Sequence, residues 1–132
     1  MKKLGLIIFV LLFQLTTSCK KAVAQEEQQI QLVTQAEMQE LIKLKKAQII
    51  DVRTVKEFNE VHLNNAQNIV YDDNFANKLE HLDKTKPVAV YCGRGGRSAK
   101  CAKILKEKGF EKIYDLNGGL SKWKFDKVEA DN

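Results

Sequence analysis

Short apolar runs alternate with amphipathic segments of helix length along most of this chain. The clearest run, Val88–Tyr91, follows Pro87 and is entirely apolar, which is typical of a buried parallel strand. Alternation of strands and helices predicts an α/β fold with a mainly parallel central sheet, helices on both faces and ligands at the carboxyl ends of the strands. Three more strands are predicted at residues 48–52, 67–70 and 113–116.

Helix-start signals lie between these predicted strands. Two capping boxes, Thr34 with Glu37 and Thr54 with Glu57, are typical of helix N-termini. Further helices are predicted to begin at Asp73 and at Ser98. The helix that begins at Thr54 is expected to be short and to end at Val61. The helix after Ser98 is expected to cover residues 99–108, with Gly109 as its stop, and residues 120–125 are expected to form a closing helical turn.

The front of the chain is interpreted as an export signal over residues 1–24. Two lysines, Lys2 and Lys3, precede an apolar stretch at residues 4–15. This stretch is shorter than the roughly 20 residues of a transmembrane helix, but it suits the core of a signal peptide. The sequence therefore predicts a protein of the periplasm or cell envelope.

Two processing sites compete in this leader. Residues 16–19 resemble a lipobox, in which cleavage after residue 18 leaves a lipidated Cys19 as a membrane tether. Alternatively, Ala22-Val23-Ala24 is a small-x-small site with cleavage before Gln25. In either case residues 25–33 are expected to form a linker and the first strand, and residues 30–126 a single domain.

The basic charge of the chain belongs mostly to this leader. The full sequence carries a formal charge of +5, but only +1 remains if the chain begins at Gln25, and +3 if it begins at Cys19. A balance so close to neutral gives no reason to expect a nucleic-acid partner. No cofactor is required by any motif, and His62 and His81 lack neighbours spaced to form a metal site.

The strongest candidate for chemistry is Cys92, which directly follows the predicted strand at residues 88–91. A glycine-rich loop comes next, and then the predicted helix. Backbone N–H groups, a helix N-terminus and nearby arginines all favour a thiolate over a thiol. We therefore expect Cys92 to be a nucleophile. The loop residues expected to bind substrate are Gly93, Arg94, Gly95, Gly96, Arg97 and Ser98.

Several motifs in this order resemble those of rhodanese-domain sulfurtransferases. The loop at residues 92–98 resembles that family's active-site loop, and the stretch from Gly118 to Trp123 resembles its closing Gly-Gly-x-x-x-Trp signature. Residues 50–53, followed by Glu57-Phe58 and His62-Leu63, resemble its first strand and helix. The resemblance implies a rhodanese-like fold over residues 30–126.

The resemblance also implies a reaction. Cys92 would take the outer sulfur of thiosulfate or a similar anionic donor, form a persulfide, and pass the sulfur to cyanide or a thiol. Loop N–H groups would hold the persulfide, while Arg94 and Arg97 would orient the donor, with Arg97 the better candidate for direct pairing. The physiological protein partner is not identified.

Other polar residues near these motifs have structural interpretations. Arg53 and Glu57 are expected to form an ion pair that ties the first strand to its helix, and His62 to shape a turn. In the family a glycine precedes this histidine, where Val61 stands here, and Asn65 replaces a later glycine. Asparagine tolerates left-handed backbone geometry, whereas valine does not do so comfortably.

Three alternatives remain beside sulfur transfer. A rhodanese-like phosphatase would have Cys-x5-Arg, whereas Cys92 and Arg97 are separated by only four residues. A non-catalytic persulfide carrier or envelope docking module would have the same loop. Thiol–disulfide exchange lacks a Cys-x-x-C pair, and Cys101 is expected to pack in the core, about two and a half helical turns from Cys92.

Overall fold

The computed structural model describes residues 29–130, which form a five-stranded parallel sheet covered by helices. The strand order is β1-β6-β5-β2-β4, and every neighbouring pair is parallel. This confirms the predicted fold class. The central strands are β1 (Ile30–Val33), β2 (Gln48–Asp51), β4 (Ala66–Asn68), β5 (Val88–Tyr91) and β6 (Ile113–Leu116).

The helices follow the predicted capping signals at two of their four starts. Both predicted capping boxes are formed, with reciprocal hydrogen bonds between Thr34 and Glu37 and between Thr54 and Glu57. The helices are α1 (Gln35–Lys43), α2 (Val55–Glu60), α3 (Phe75–Lys78) and α4 (Gly96–Glu107), with a final 3₁₀ turn at Leu120–Lys122.

Two predicted helix starts were wrong. Helix α4 begins at Gly96, with Gly95 as its N-cap, so Ser98 lies inside the first turn rather than at the cap. The helix N-terminus is thus closer to Cys92 than predicted. Helix α3 begins after Asn74 rather than after Asp73, because the Asp72 carboxylate accepts the backbone N–H of Asn74 and fixes the preceding turn.

Helices cover both faces of the sheet, and side chains along each strand alternate between the two buried faces. In β5, Val88 and Val90 belong to the apolar cluster beneath α3 and α4. Ala89 and Tyr91 belong to the cluster on the opposite face, with Met38 of α1. Cys92 continues this alternation on the α4 face, so the strand itself aims the thiol toward that helix.

A second, two-stranded antiparallel sheet lies beside the central one. Strand β3 (Val61–His62) pairs with β7 (Val128–Glu129) near the end of the described chain. Strand β3 begins directly after α2 at Val61, which stands where the family has a glycine. Val61 has a φ of −163°, an extended geometry that valine adopts readily, so no glycine is required there. Asn65 has the predicted left-handed geometry, with a φ of 62°.

The predicted leader, its two cleavage sites and Cys19 lie outside the described residues. Within residues 29–130, no helix has the length and apolar character needed to cross a membrane. Ile30 and Gln31 belong to the stretch expected to form a linker and the first strand. They form the start of β1 and pair with β6.

Candidate active site

The thiol of Cys92 is buried at the carboxyl edge of the parallel sheet, where β5 turns into α4. Its residue is only 1% exposed. The backbone N–H of Gly95 donates to Sγ at 3.1 Å, and the thiol lies 3.6 Å from the Ser98 hydroxyl, to which it donates. That hydroxyl donates in turn to the Gly95 carbonyl at 3.2 Å. The first turn of α4 therefore encloses the sulfur with polar groups.

These contacts change the acidity of the thiol. Burial of Cys92 opposes ionisation, but hydrogen bonds from the backbone and side chain of Ser98 and from the backbone N–H groups of Gly95 and Arg94 outweigh it, so its pKa is lowered. The N-terminus of α4 adds its positive dipole end on the same side. The loop is thus built to stabilise negative charge on Cys92.

The Gly118-Gly119 turn holds this loop from behind. Backbone N–H groups of Leu120 and Ser121 donate to the carbonyls of Cys92 and Gly93 at 2.8 and 2.9 Å. Gly119 has a φ of 63°, and a Cβ there would lie 2.6 Å from the Cys92 carbonyl oxygen. Only glycine allows such a close approach. With their carbonyls fixed from behind, Cys92 and Gly93 hold the loop that presents its N–H groups to the sulfur.

The predicted ion pair between Arg53 and Glu57 is not formed, and two other pairs replace it. Arg53 bonds to Asp51, which is fully buried, at 2.6 Å. Glu57 accepts two hydrogen bonds from Arg97, both at 2.9 Å. Arg97 holds the pKa of Glu57 down at about 2, assisted by the Thr54 contacts of the capping box.

This second pair changes the expected roles of the loop arginines. Arg97 was the favoured partner for a donor anion, but its guanidinium is bound in a bidentate manner by Glu57 from α2. Arg94 takes part in no salt bridge among residues 29–130 and lines the pocket beside the loop. Arg94 is therefore the loop cation left free to meet a ligand.

The pocket beside Cys92 is lined by three cationic residues and no carboxylate. Its volume is about 350 Å³. Of its lining residues, the sequence predicted only Gly93 and Arg94 as ligand-binding. Leu120 and Ser121 were missed although they directly follow the recognised Gly-Gly motif, Arg53 was expected only in a structural ion pair, and Val61 and Lys127 were not expected at all. Its walls are formed by Arg53, Val61, Gly93, Arg94, Leu120, Ser121 and Lys127.

A buried carboxyl group also lies near the site and was missed. Asp115 of β6 is 4% exposed, and its Oδ1 has no hydrogen-bond partner among residues 29–130. Burial raises its pKa, while the neighbouring Ser98 hydroxyl lowers it in part. The sequence signal for this group is an acid inside an otherwise apolar strand.

The remaining candidates have the structural surroundings expected of them. Cys101 is fully buried on α4 and is a free thiol, and burial raises its pKa to about 12. A ring N–H of His62, on Nδ1, donates to the Phe58 carbonyl at 2.8 Å, and its ring stacks on that of Phe58. Residues 29–130 contain no group of three or more metal-ligating side chains.

Comparison with known proteins supplies the family. A model of the rhodanese-like domain matches residues 34–126. The chain belongs to the rhodanese-like domain family. The resemblance is thereby confirmed. Three of the motifs that carried it supply residues of the pocket beside the Cys92 loop: Arg53, Gly93 with Arg94, and Leu120 with Ser121.

Relatives and solved structures of this family align with most of the described chain. A protein named thiosulfate sulfurtransferase GlpE in Shewanella oneidensis is 34% identical over 84 residues, covering 64% of this chain and 82% of the relative. The protein of the same name in Coxiella burnetii is 37% identical over 92 residues, covering 70% and 85%. The crystal structure of a rhodanese-like domain protein from Staphylococcus aureus aligns with a TM-score of 0.66 at 27% identity, over 77% of this chain and 99% of that one.

Proposed function

We propose that this protein is a sulfurtransferase that moves a sulfane sulfur from thiosulfate, or a similar anionic donor, to a thiol or cyanide through a persulfide on Cys92. The observation that carries the proposal is the arrangement of Cys92 itself. Its sulfur is buried under converging hydrogen-bond donors that lower its pKa, beside a pocket lined by cations. The names of the relatives support the same activity.

The first half-reaction charges the enzyme. The Cys92 thiolate attacks the outer sulfur of thiosulfate, a new S–S bond forms, and the donor's own S–S bond breaks. Sulfite leaves with the electron pair of that bond, so the total charge is unchanged. Arg94 orients the sulfonate end of the donor, since Arg97 is already bound by Glu57.

The second half-reaction returns Cys92 to its thiolate. The acceptor attacks the terminal sulfur of the persulfide, and the S–S bond to Cys92 breaks with its electrons remaining on Cys92. The N–H of Gly95 stabilises negative charge on sulfur in both the persulfide and the leaving thiolate, and the Ser98 hydroxyl does so by turning its proton from the Gly95 carbonyl to the ionised sulfur. No step requires a metal or an organic cofactor.

Intact-protein mass spectrometry after mixing with thiosulfate tests this proposal. The wild-type domain should gain one sulfur, ~32 Da, and lose it again on addition of cyanide, as expected for a covalent sulfur intermediate. Cys92→Ser should gain nothing, whereas Cys101→Ser should behave like wild type. If neither thiosulfate nor a persulfide donor adds sulfur to Cys92, catalytic transfer is excluded, and a docking module becomes the better account.

Two observations favour sulfur transfer over the phosphatase alternative. The loop from Cys92 to Arg97 has the short spacing of sulfurtransferases. In addition, Arg97 is bound by two hydrogen bonds to Glu57, which leaves this arginine less free to clamp a phosphate. A phosphatase would release phosphate from an aryl phosphate ester, and we expect no release above that of Cys92→Ser.

A persulfide carrier would charge in the same way but would not turn over. Multiple turnovers with thiosulfate and cyanide, measured as thiocyanate formed per mole of protein, separate the two. The enzyme proposal expects many turnovers. A single turnover with a stable charged form supports the carrier instead.

We also propose that the domain is exported and tethered to the cell envelope by a lipid on Cys19. The support is the apolar core at residues 4–15, followed closely by the lipobox-like residues 16–19. Radiolabelled palmitate should be incorporated into the full-length protein but not into Cys19→Ser. A mature protein whose N-terminal residue is Gln25 would show the alternative cleavage instead.

A further inference from the structure

The segment that follows Trp123 reaches back to the active-site pocket. The indole N–H of Trp123 donates to the Asp126 carbonyl at 3.3 Å, which fixes one side of the segment. On the other side, β7 pairs with β3, and the backbone N–H of Ala130 donates to the Glu60 carbonyl at 3.0 Å. Lys127 lies between these two anchors and lines the pocket. The rhodanese-like domain match ends one residue before it.

The three cations of this pocket differ in how far their charge is compensated. Arg53 is bound by the buried carboxylate of Asp51. Neither Arg94 nor Lys127 forms a salt bridge with any group in the described part of the chain. Since no carboxylate lines the pocket, Arg94 and Lys127 leave it with two uncompensated positive charges.

We propose that Lys127 is a second anion-binding residue of this site, which acts with Arg94 to select a dianionic sulfur donor over a monoanionic one. This inference rests on the proposed sulfurtransferase function. Thiosulfate carries two negative charges, and the sulfite that leaves after transfer keeps both of them. Two cations near the sulfonate end therefore bind the donor and the leaving group in the same place.

The inference assigns a role to residues outside the motif-bearing part of the domain. Lys127 depends on pairing of β7 with β3, so the C-terminal strand completes the pocket rather than only covering the sheet. Because Lys127 is exposed, its ammonium retains its water on one side. Its contribution should thus be moderate and sensitive to salt.

A donor comparison tests the selectivity. Persulfide formation on Cys92 would be followed by mass spectrometry with thiosulfate, a dianion, and with benzenethiosulfonate, a monoanion. Lys127→Ala should raise the KM for thiosulfate about fivefold at low salt, with a smaller rise, of about twofold, for benzenethiosulfonate. Lys127→Arg should retain the wild-type preference. Lys124→Ala is the matched control, since Lys124 is exposed on the same segment but does not line the pocket.

Thiosulfate binding to a variant that cannot react separates this inference from the function on which it rests. In Cys92→Ser, calorimetry should detect thiosulfate binding at low salt, and adding Lys127→Ala should weaken it about fivefold, an effect that about 0.5 M salt removes. Equal KM changes for both donors, or unchanged binding in the double variant, would overturn the role of Lys127 even if Cys92 is charged normally. Absence of any sulfur on wild-type Cys92, together with normal anion binding, would instead refute sulfur transfer and leave the anion site in place.

Discussion

The two cysteines of this domain are both buried, yet their surroundings drive their acidities in opposite directions. Cys92 is 1% exposed and has a lowered pKa, whereas Cys101 is fully buried and its pKa is raised to about 12. Burial by itself would raise the pKa of both thiols, because it disfavours the charged thiolate. The difference comes from the donors: N–H groups and a hydroxyl converge on Cys92, while Cys101, in the middle of α4, packs in the apolar cluster near the Asp115 carboxyl and has no such donors among the described residues. Depth alone therefore does not decide reactivity.

Selective alkylation gives the largest expected difference between the two thiols. At pH 7 a thiol with a pKa of about 12 is ionised in roughly one molecule in 10⁵. Native protein treated with iodoacetamide at pH 7 should therefore be modified at Cys92 at least ~100-fold faster than at Cys101. Peptide mapping by mass spectrometry measures both rates. Similar rates at the two positions would contradict the account.

Substitution of Gly119 should disrupt the loop that makes Cys92 different. In Gly119→Ala the new Cβ would overlap the carbonyl groups of Cys92 and Gly93 at 2.6 Å, at a φ that also strains alanine. We expect a loss of about 3 kcal/mol in the free energy of unfolding, measured by urea denaturation. Gly96→Ala is the matched control, since a Cβ there meets nothing within 4 Å and Gly96 is the first residue of α4; we expect no loss of stability and at most a gain of about 1 kcal/mol.

Removal of the Ser98 hydroxyl should weaken the stabilisation of the thiolate without removing the backbone donors. In Ser98→Ala, the pKa of Cys92 should rise, and the alkylation rate at pH 7 should fall about tenfold, as expected for loss of one hydrogen bond to a charged group. The pH dependence of alkylation measures the shift. An unchanged profile would mean that the N–H groups alone determine the acidity of Cys92.

Replacement of Asp115 tests the buried carboxyl beside Cys101. Because the folded-state pKa of Asp115 is raised, its ionisation destabilises the fold increasingly as pH rises from the unfolded value of 3.8 through the folded value. Asp115→Asn should therefore increase the free energy of unfolding by about 1 kcal/mol at pH 7, with the gain disappearing below pH ~4.

The same variant also bears on Cys101. Since the charge of Asp115 helps to raise the pKa of Cys101, that pKa should fall in Asp115→Asn. Asp73→Asn, at an exposed position, serves as the control for stability. A gain in stability that persists at pH 3 would show that packing, rather than charge, is responsible.

Much of the fold could be predicted because the decisive signals are local. β5 and β6 were predicted to the residue, β5 from an unbroken apolar run and β6 from a mostly apolar one, and both capping boxes are formed as expected. Strand β4 was predicted at residues 67–70, which starts one residue late and ends two residues late, because its short polar sequence carries a weak pattern. Ser98 has a side chain typical of a helix cap. Its hydroxyl is instead bonded to Cys92 and Gly95, which a propensity rule does not consider.

The surroundings of Cys92 were less predictable, because they depend on contacts between distant parts of the chain. Glu57 and Arg97 are 40 residues apart, whereas Arg53 is four residues from Glu57, so proximity in sequence favoured the wrong pair. Lys127 reaches the pocket only through pairing of β7 with β3. The importance of Asp115 likewise follows from the position of β6 beside β5, which the order of elements along the chain does not reveal.

The direction of β1 determines how the domain can be attached to a surface. Because β1 is parallel to the other strands of the central sheet, Ile30 lies at the amino edge of the sheet, while Cys92 lies at the carboxyl edge. Immobilisation through the N-terminal side would therefore leave the pocket beside the Cys92 loop facing outward into solution. A fusion partner joined after Ala130 would begin directly after β7, which follows Lys127, so the two ends of this domain are not equivalent positions for a tag.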